Sequence, residues 1–285
     1  MIKMRDDFAI FILTHGRAGN VKTIPKVLEK SNYTGKYYIV IDNEDDQADE
    51  YYRLYGDKVF MFDKAAVAKT FDAMDQSEDR RMIVYARNYC FDLAEQLGLK
   101  YFLEFDDDYN SLDYRWTDGK RLYTTKVRQM DKLCELMIEW LEVSGAQAVC
   151  FAQGGDFIGG VKGGNYSKKV LRKAMNTFFF KTENRLTFTG RQNEDVVTYV
   201  TEGNRGKLFM TITDVNIVPT ATQNNKGGCS DVYLEQGTYV KSFYAVMASP
   251  QAVCVDVLNS GHARIHHKVD WERCAPKILN ERWKR

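Results

Sequence analysis

The sequence predicts an α/β fold, a Rossmann-like and mostly parallel central sheet with helices on both faces, and three observations carry that prediction. The N-terminal third alternates short, continuous apolar runs with segments of helical spacing. Each apolar run stops abruptly at polar or charged residues. A chain of 285 residues that is 44% hydrophobic is long enough to bury such a sheet as one domain.

The elements follow in order. Residues 8–13 (FAIFIL) read as a buried parallel strand feeding the loop Thr14-His15-Gly16-Arg17. Residues 20–30 look helical, and residues 37–41 (YYIVI) form a second strand that stops at Asp42. A helix around residues 47–55 and a short strand over 59–62 repeat the pattern. Residues 82–97 carry Ile83, Ala86, Cys90, Ala94 and Leu97 at helical spacing, with Gly98 as a stop signal. The run 101–105 then leads into Asp106-Asp107-Asp108. Farther on, Val127, Met130, Leu133, Met137, Trp140 and Leu141 mark an amphipathic helix, residues 148–152 a buried strand, and paired glycines between 154 and 164 loops.

Composition excludes several classes. With 40 basic and 39 acidic side chains there is no global field to attract a polyanion, so any nucleic-acid contact must come from a local patch. Six cysteines without CxxC spacing suit buried, reduced thiols. The first apolar run is too short for a signal peptide, and no stretch approaches the roughly 18 apolar residues of a membrane span. The expectation is a soluble, cytoplasmic protein with no membrane partner.

Chemistry concentrates where the strands end. Three carboxylates after a buried strand repel one another unless solvent or a cation relieves them. If the segment is extended, Asp106 and Asp108 point the same way and can share a divalent ion, which favours one or two carboxylates plus phosphate oxygens. A solvated acidic turn is the bland alternative. Three of the chain's four histidines fall in residues 262–267 (HARIHH), and His262, His266 or His267 could complete a metal shell or simply face solvent. Residues 190–196 (GRQNEDV) open a helix that Asn193 could cap. Glu194 and Asp195 suit a first turn electrostatically, or one of them removes a proton from an acceptor hydroxyl. Thr14, Gly16, Arg17, Asp42 and Arg87 stand at successive strand or helix ends, where they could contact phosphates and a ribose or base. Tyr166, Lys168, Lys169, Arg172 and Lys173, and separately Lys277, Arg282, Lys284 and Arg285, form local basic groups that are either solvated faces or phosphate contacts.

THGRAGN (14–20), VIDNEDD (40–46), YARN (85–88) and FDDDY (105–109), in this order, resemble the TET-associated glycosyltransferases, mostly phage-encoded GT-A enzymes that sugar-modify hydroxymethylated cytosine in DNA. The resemblance is densest over residues 8–110 and continues more loosely through NEDV (193–196) and residues 227–244. It implies a single GT-A domain over 1–285, with a nucleotide-sugar-binding half (1–110) and an acceptor-binding half (111–285). It further implies a UDP-sugar donor, a Mn²⁺ or Mg²⁺ cofactor, 5-hydroxymethylcytosine in DNA as acceptor, and the host cytoplasm as location. Carried over by position, Thr14, His15, Gly16, Arg17, Asp42 and Arg87 hold the nucleotide. Asp106 and Asp108 hold the metal, helped by His262 or His266, while Asp107 contacts sugar or ribose. Asp195 is the expected base with Glu194 as its alternate, and Lys168, Lys169 and Arg172 are the expected DNA contacts. The rival readings are a glycosyltransferase acting on a polysaccharide or protein, a nucleotidyltransferase, and a non-catalytic DNA-binding module.

Overall fold

The computed structural model describes residues 4–163, 165–220, 232, 235–237, 239–260, 262–274 and 281. A ten-stranded sheet runs through it in the order β3-β2-β1-β4-β9-β7-β10-β5-β6, with β8 on the side of β10. The strands are β1 (Phe8–Leu13), β2 (Lys36–Asp42), β3 (Val59–Phe62), β4 (Tyr101–Asp106), β5 (Tyr109–Thr117), β6 (Leu122–Lys126), β7 (Ala148–Ala152), β8 (Val170–Leu171), β9 (Phe178–Lys181) and β10 (Phe209–Pro219). β1 pairs in parallel with β2 and β4, β2 with β3, and β7 with β10. Strands β5, β8 and β9 run against this common direction, which the sequence pattern does not reveal.

The buried run of β1 follows from coverage on both faces. Successive side chains of a strand alternate sides, so Ala9, Phe11 and Leu13 join one core and Phe8, Ile10 and Ile12 the other. The first core is closed by α3 (Val84–Gln96) and α5 (Glu194–Asn204). The second is closed by α1 (Ala48–Tyr55) and α4 (Met130–Ser144). A short α2 (Lys64–Val67) follows β3, with the Asp63 side chain accepting from the Ala66 N–H. Residues expected to form one helix over 20–30 form a 3-10 turn (Ala18–Asn20) and a π-helical turn (Ile24–Leu28), with Pro25 near the start of the latter. Proline has no N–H to donate to a regular α-helical ladder there.

Beyond β10 lie α6 (Val240–Ala248), a separate ribbon of β11 (Val253–Ser260) and β12 (His262–Val269), and α7 (Trp271–Cys274). Among the described residues five cysteines are free thiols, four of them buried. No described helix is long and apolar enough to cross a membrane. Gly164, Cys229 and the basic residues Lys277, Arg282, Lys284 and Arg285 lie outside the described residues.

Candidate active site

The carboxyl ends of β1, β2 and β4 bring the predicted residues to one cavity of about 920 Å³. Its near wall is a stitched pair of loops. The Thr23 hydroxyl donates to the Asp106 carbonyl (2.6 Å) and accepts from the Tyr109 N–H (3.1 Å), while the Thr23 N–H donates to the Asp107 carbonyl (3.1 Å). The acidic segment is thus a tight turn between β4 and β5 rather than extended chain. Gly16 sits at φ +68°, where an L side chain is strained, and its N–H donates to Asp45 Oδ2 (2.7 Å).

In this turn the three aspartates do different things. Asp107 is buried in the cavity lining, accepting from the Thr14 hydroxyl (2.6 Å) and from Arg17 Nη1 (2.7 Å). The Tyr51 hydroxyl extends the chain, 2.8 Å from Thr14 Oγ1 and accepting from the Arg17 N–H (2.9 Å). Asp106 and Asp108 remain half-buried at the cavity wall. Burial, opposed by Arg87 but reinforced by the neighbouring acids, raises the Asp106 carboxyl to about 7. Burial and the adjacent Asp107 raise Asp108 to about 6.

Arg87, expected to donate to a pyrophosphate, is 1% exposed and serves three carboxylates instead. It donates to Glu194 (3.0 Å), Glu104 (3.2 Å) and Asp106 (3.2 Å). Glu104 lies wholly buried on β4, two residues before Asp106, and burial raises it to about 8 despite Arg87. At the end of β2, Asp42 Oδ2 accepts from His15 Nδ1 (2.9 Å) and from the buried Lys64 ammonium (3.1 Å). Burial alone lifts the Asp42 carboxyl, but these two partners outweigh it and hold the group below the usual carboxylate range.

The far wall comes from the second half of the chain. Asn193 precedes α5 at φ +59° and does not cap it; its amide nitrogen lies 3.3 Å from His267 Nδ1. Asp195 reaches the cavity with Oδ1 accepting from the Val196 N–H, and burial next to Glu194 raises it to about 6. His266 and His267 also line the cavity, their rings 4.1 Å apart. Burial lowers both, helped by Lys241 for each, and His267 falls to about 3, so both imidazoles are neutral at pH 7. The His262 backbone lies in β12, four residues before His266. Of the expected DNA contacts, Lys168 and Arg172 are exposed and line the cavity. Lys169 turns away, pairing with Asp214 (2.7 Å) over the Tyr166 ring, and Lys173 is paired with Asp156.

Among the described residues no three His, Cys, Asp or Glu side chains gather closely enough to enclose an ion by themselves. The donor set nevertheless fits a hard divalent cation. Mg²⁺ and Mn²⁺ sites of this type use one or two carboxylates and fill the remaining positions with water and substrate phosphates. Asp106 and Asp108 are two such carboxylates, both made reluctant to ionise by burial and by their acidic neighbours.

The sequence reading missed Lys64, Tyr51 and Glu104. Only Glu104 carried a signal, an acid inside the apolar run 101–105. Lys64 and Tyr51 look like ordinary residues of exposed helices until the chain is folded.

A sheet with carboxylates gathered at its carboxyl edge, facing an acidic helix start across one cavity, suits a metal-assisted enzyme acting on a phosphate-bearing substrate. The chain belongs to the TET-Associated Glycosyltransferase family, whose model matches residues 8–228. No curated protein matches it in sequence. Among solved structures, glucosyl-3-phosphoglycerate synthase from Mycobacterium tuberculosis, in complex with Mg²⁺ and uridine diphosphate, is similar at 10% identity with a TM-score of 0.47, over 93% of this chain and 88% of that one. Mannosyl-3-phosphoglycerate synthase from Rubrobacter xylanophilus is similar at 11% identity with a TM-score of 0.45, over 92% and 86%.

Proposed function

We propose that this enzyme transfers a sugar from a UDP-sugar to 5-hydroxymethylcytosine in DNA, using Mn²⁺ or Mg²⁺ held by Asp106 and Asp108. The observation that carries the reading is the shared cavity: the acidic turn and Asp42 lie on one side, Asp195 on the other, and Lys168 and Arg172 at its edge. On this reading residues 1–110 chiefly serve the donor and residues 111–285 the acceptor.

The bound cation supplies neutralisation of the charge that builds on the leaving diphosphate. Arg87 and Thr23 fix the acidic turn, and His266 lines the same cavity. Thr14 and Arg17, held by Tyr51 and Asp107, shape the loop beside the phosphates. Asp42, aligned by His15 and Lys64, keeps acceptor capacity for a ribose hydroxyl or a base N–H. Glu194 is engaged with Arg87, which leaves Asp195 as the carboxylate to take the acceptor's hydroxyl proton. A group raised to about 6 is ionised at neutral pH and suited to that transfer. Attack by the deprotonated oxygen on the anomeric carbon inverts its configuration. A base in duplex DNA must leave the stack to reach such a cavity, and the exposed cations suit its flanking phosphates.

The test is release of UDP from a panel of UDP-sugars, with Mn²⁺ or a chelator, in the presence of hydroxymethylcytosine DNA or unmodified DNA. Metal-dependent release confined to the hydroxymethylated DNA is expected. Release regardless of DNA removes the acceptor assignment, and no release with any donor removes the UDP-sugar assignment.

A further inference from the structure

We propose that the β11–β12 ribbon is a DNA-engaging arm whose paired Val257 and Ile265 form an apolar wedge against the base step beside the extracted nucleotide; this rests on the DNA acceptor proposed above. The ribbon lies beyond the residues matched by the family model. Its two strands pair from Val253↔Val269 at the root to Ser260↔His262. At about 3.4 Å per residue, eight residues reach roughly 27 Å from that root.

The root is anchored. Val253 is buried in the core formed with α5 and α6, Val269 packs against it, and the Asp270 N–H donates to the Ala252 carbonyl (2.7 Å). Farther out, the same ribbon face emerges into solvent: Val255 is 37%, Val257 56% and Ile265 44% exposed, and the last two stand directly opposite each other. A two-stranded ribbon is marginal on its own. Leaving its β-branched pair uncovered forgoes apolar burial that the fold obtains elsewhere.

The position of this pair names its partner. Leu258, Arg264 and His266 on one face of the ribbon, and His267 and Val269 on the face that carries Val257 and Ile265, line the catalytic cavity. His267 is two residues from Ile265 on that same face, so the apolar pair borders the pocket that is to receive a base. Charge favours a polyanion at this edge. Arg264 is exposed on the ribbon, Lys168 and Arg172 line the same cavity, and the ribbon's one carboxylate, Asp256, is paired with Lys268 (3.0 Å). Apolar side chains pressed between base steps offset the unstacking that base extraction requires, while nearby cations hold the phosphates.

The experiment compares the full-length enzyme with the double variant Val257→Ser, Ile265→Ser on two acceptors of one sequence, a duplex containing a single hydroxymethylcytosine and the corresponding single strand. With Mn²⁺ and the active UDP-sugar, the variant is expected to lose at least about tenfold on the duplex, the equivalent of roughly 1.4 kcal/mol of unstacking. It is expected to stay within about twofold of the parent on the single strand, which also checks that it folds. Ile265→Leu alone should retain duplex activity. A 2-aminopurine beside the target should brighten with the parent enzyme and not with the double variant. Equal loss on both acceptors, no loss on either, or a parent dimer that the double variant dissociates would each overturn the wedge while leaving the acceptor reading intact. A parent enzyme inactive on both DNAs, yet releasing UDP with another acceptor, overturns the acceptor reading and the wedge with it.

Discussion

Arg87 Nε donates to Glu194 Oε1 across 3.0 Å, tying a helix of the first half of the chain to the start of α5 in the second. The same guanidinium holds Glu104 and Asp106, so one buried cation sets the distance between the acidic turn and the proposed base. Arg87→Met leaves these carboxylates without their charge partner. Breaking a buried pair from one side costs about 3–5 kcal/mol, so the variant should unfold at markedly lower urea concentration, with activity lost. A urea midpoint unchanged from the parent would show that Arg87 does not bind the site together.

The aspartates of the turn should separate by phenotype. Asp108→Asn removes a carboxylate that burial and Asp107 already disfavour, so stability should hold or rise while Mn²⁺-dependent transfer falls about 100-fold or more. Asp107→Asn weakens charge-assisted bonds to Arg17 and Thr14 and should cost about 1–3 kcal/mol. Thermal melts and Mn²⁺ titrations of both variants check this. Loss of stability in the Asp108 variant with metal binding retained would reverse the assignment.

The acid limb of kcat/KM should follow Asp195. At saturating Mn²⁺, which keeps Asp106 and Asp108 ionised, its raised carboxyl is ionised above about pH 6, so the rate should be flat near pH 7.5 and fall tenfold per unit well below pH 6. Asp195→Asn should abolish transfer and leave the melting temperature near that of the parent. If the acid limb persisted unchanged in a residually active Asp195→Asn enzyme, another group would be the base.

Lys64→Met tests the proposed nucleotide contact at Asp42. Asp42 has a depressed folded value, so its pairing contributes stability that is present above the unfolded value and is lost as pH falls through the folded one. The variant should therefore be less stable at pH 7, with the gap to the parent narrowing by pH 3, and its KM for donor should rise more than its kcat falls. A gap that is constant with pH would place the effect in packing of the lysine stem rather than in the ion pair.

Much of the architecture of residues 1–110 was legible in the sequence. FAIFIL and YYIVI can bury every side chain only between two covered faces, and the residues that end them, Thr14 to Arg17 and Asp42, must then stand at one sheet edge. The same reasoning places Asp106 and Asp108 at this edge, although they stand on a turn and not on the extended segment expected. Strand β5 alternates and β8 has only two residues, so neither forms an apolar run; β9 does, in Phe178 to Phe180, but a short apolar run carries no strand direction.

What the sequence determined by itself is local: which runs are buried, where each stops, and which polar residues stand at those stops, since strand pleat and apolar burial act over a few residues. Tertiary structure alone decided the partnerships. That Arg87 would serve Glu194 rather than a phosphate, that Asp107 would pair with Arg17, and that Lys64 would bury its charge against Asp42 depend on helices and strands far apart in the chain. Those choices are made by packing, because a buried charge takes whichever opposite charge the fold brings within hydrogen-bonding distance.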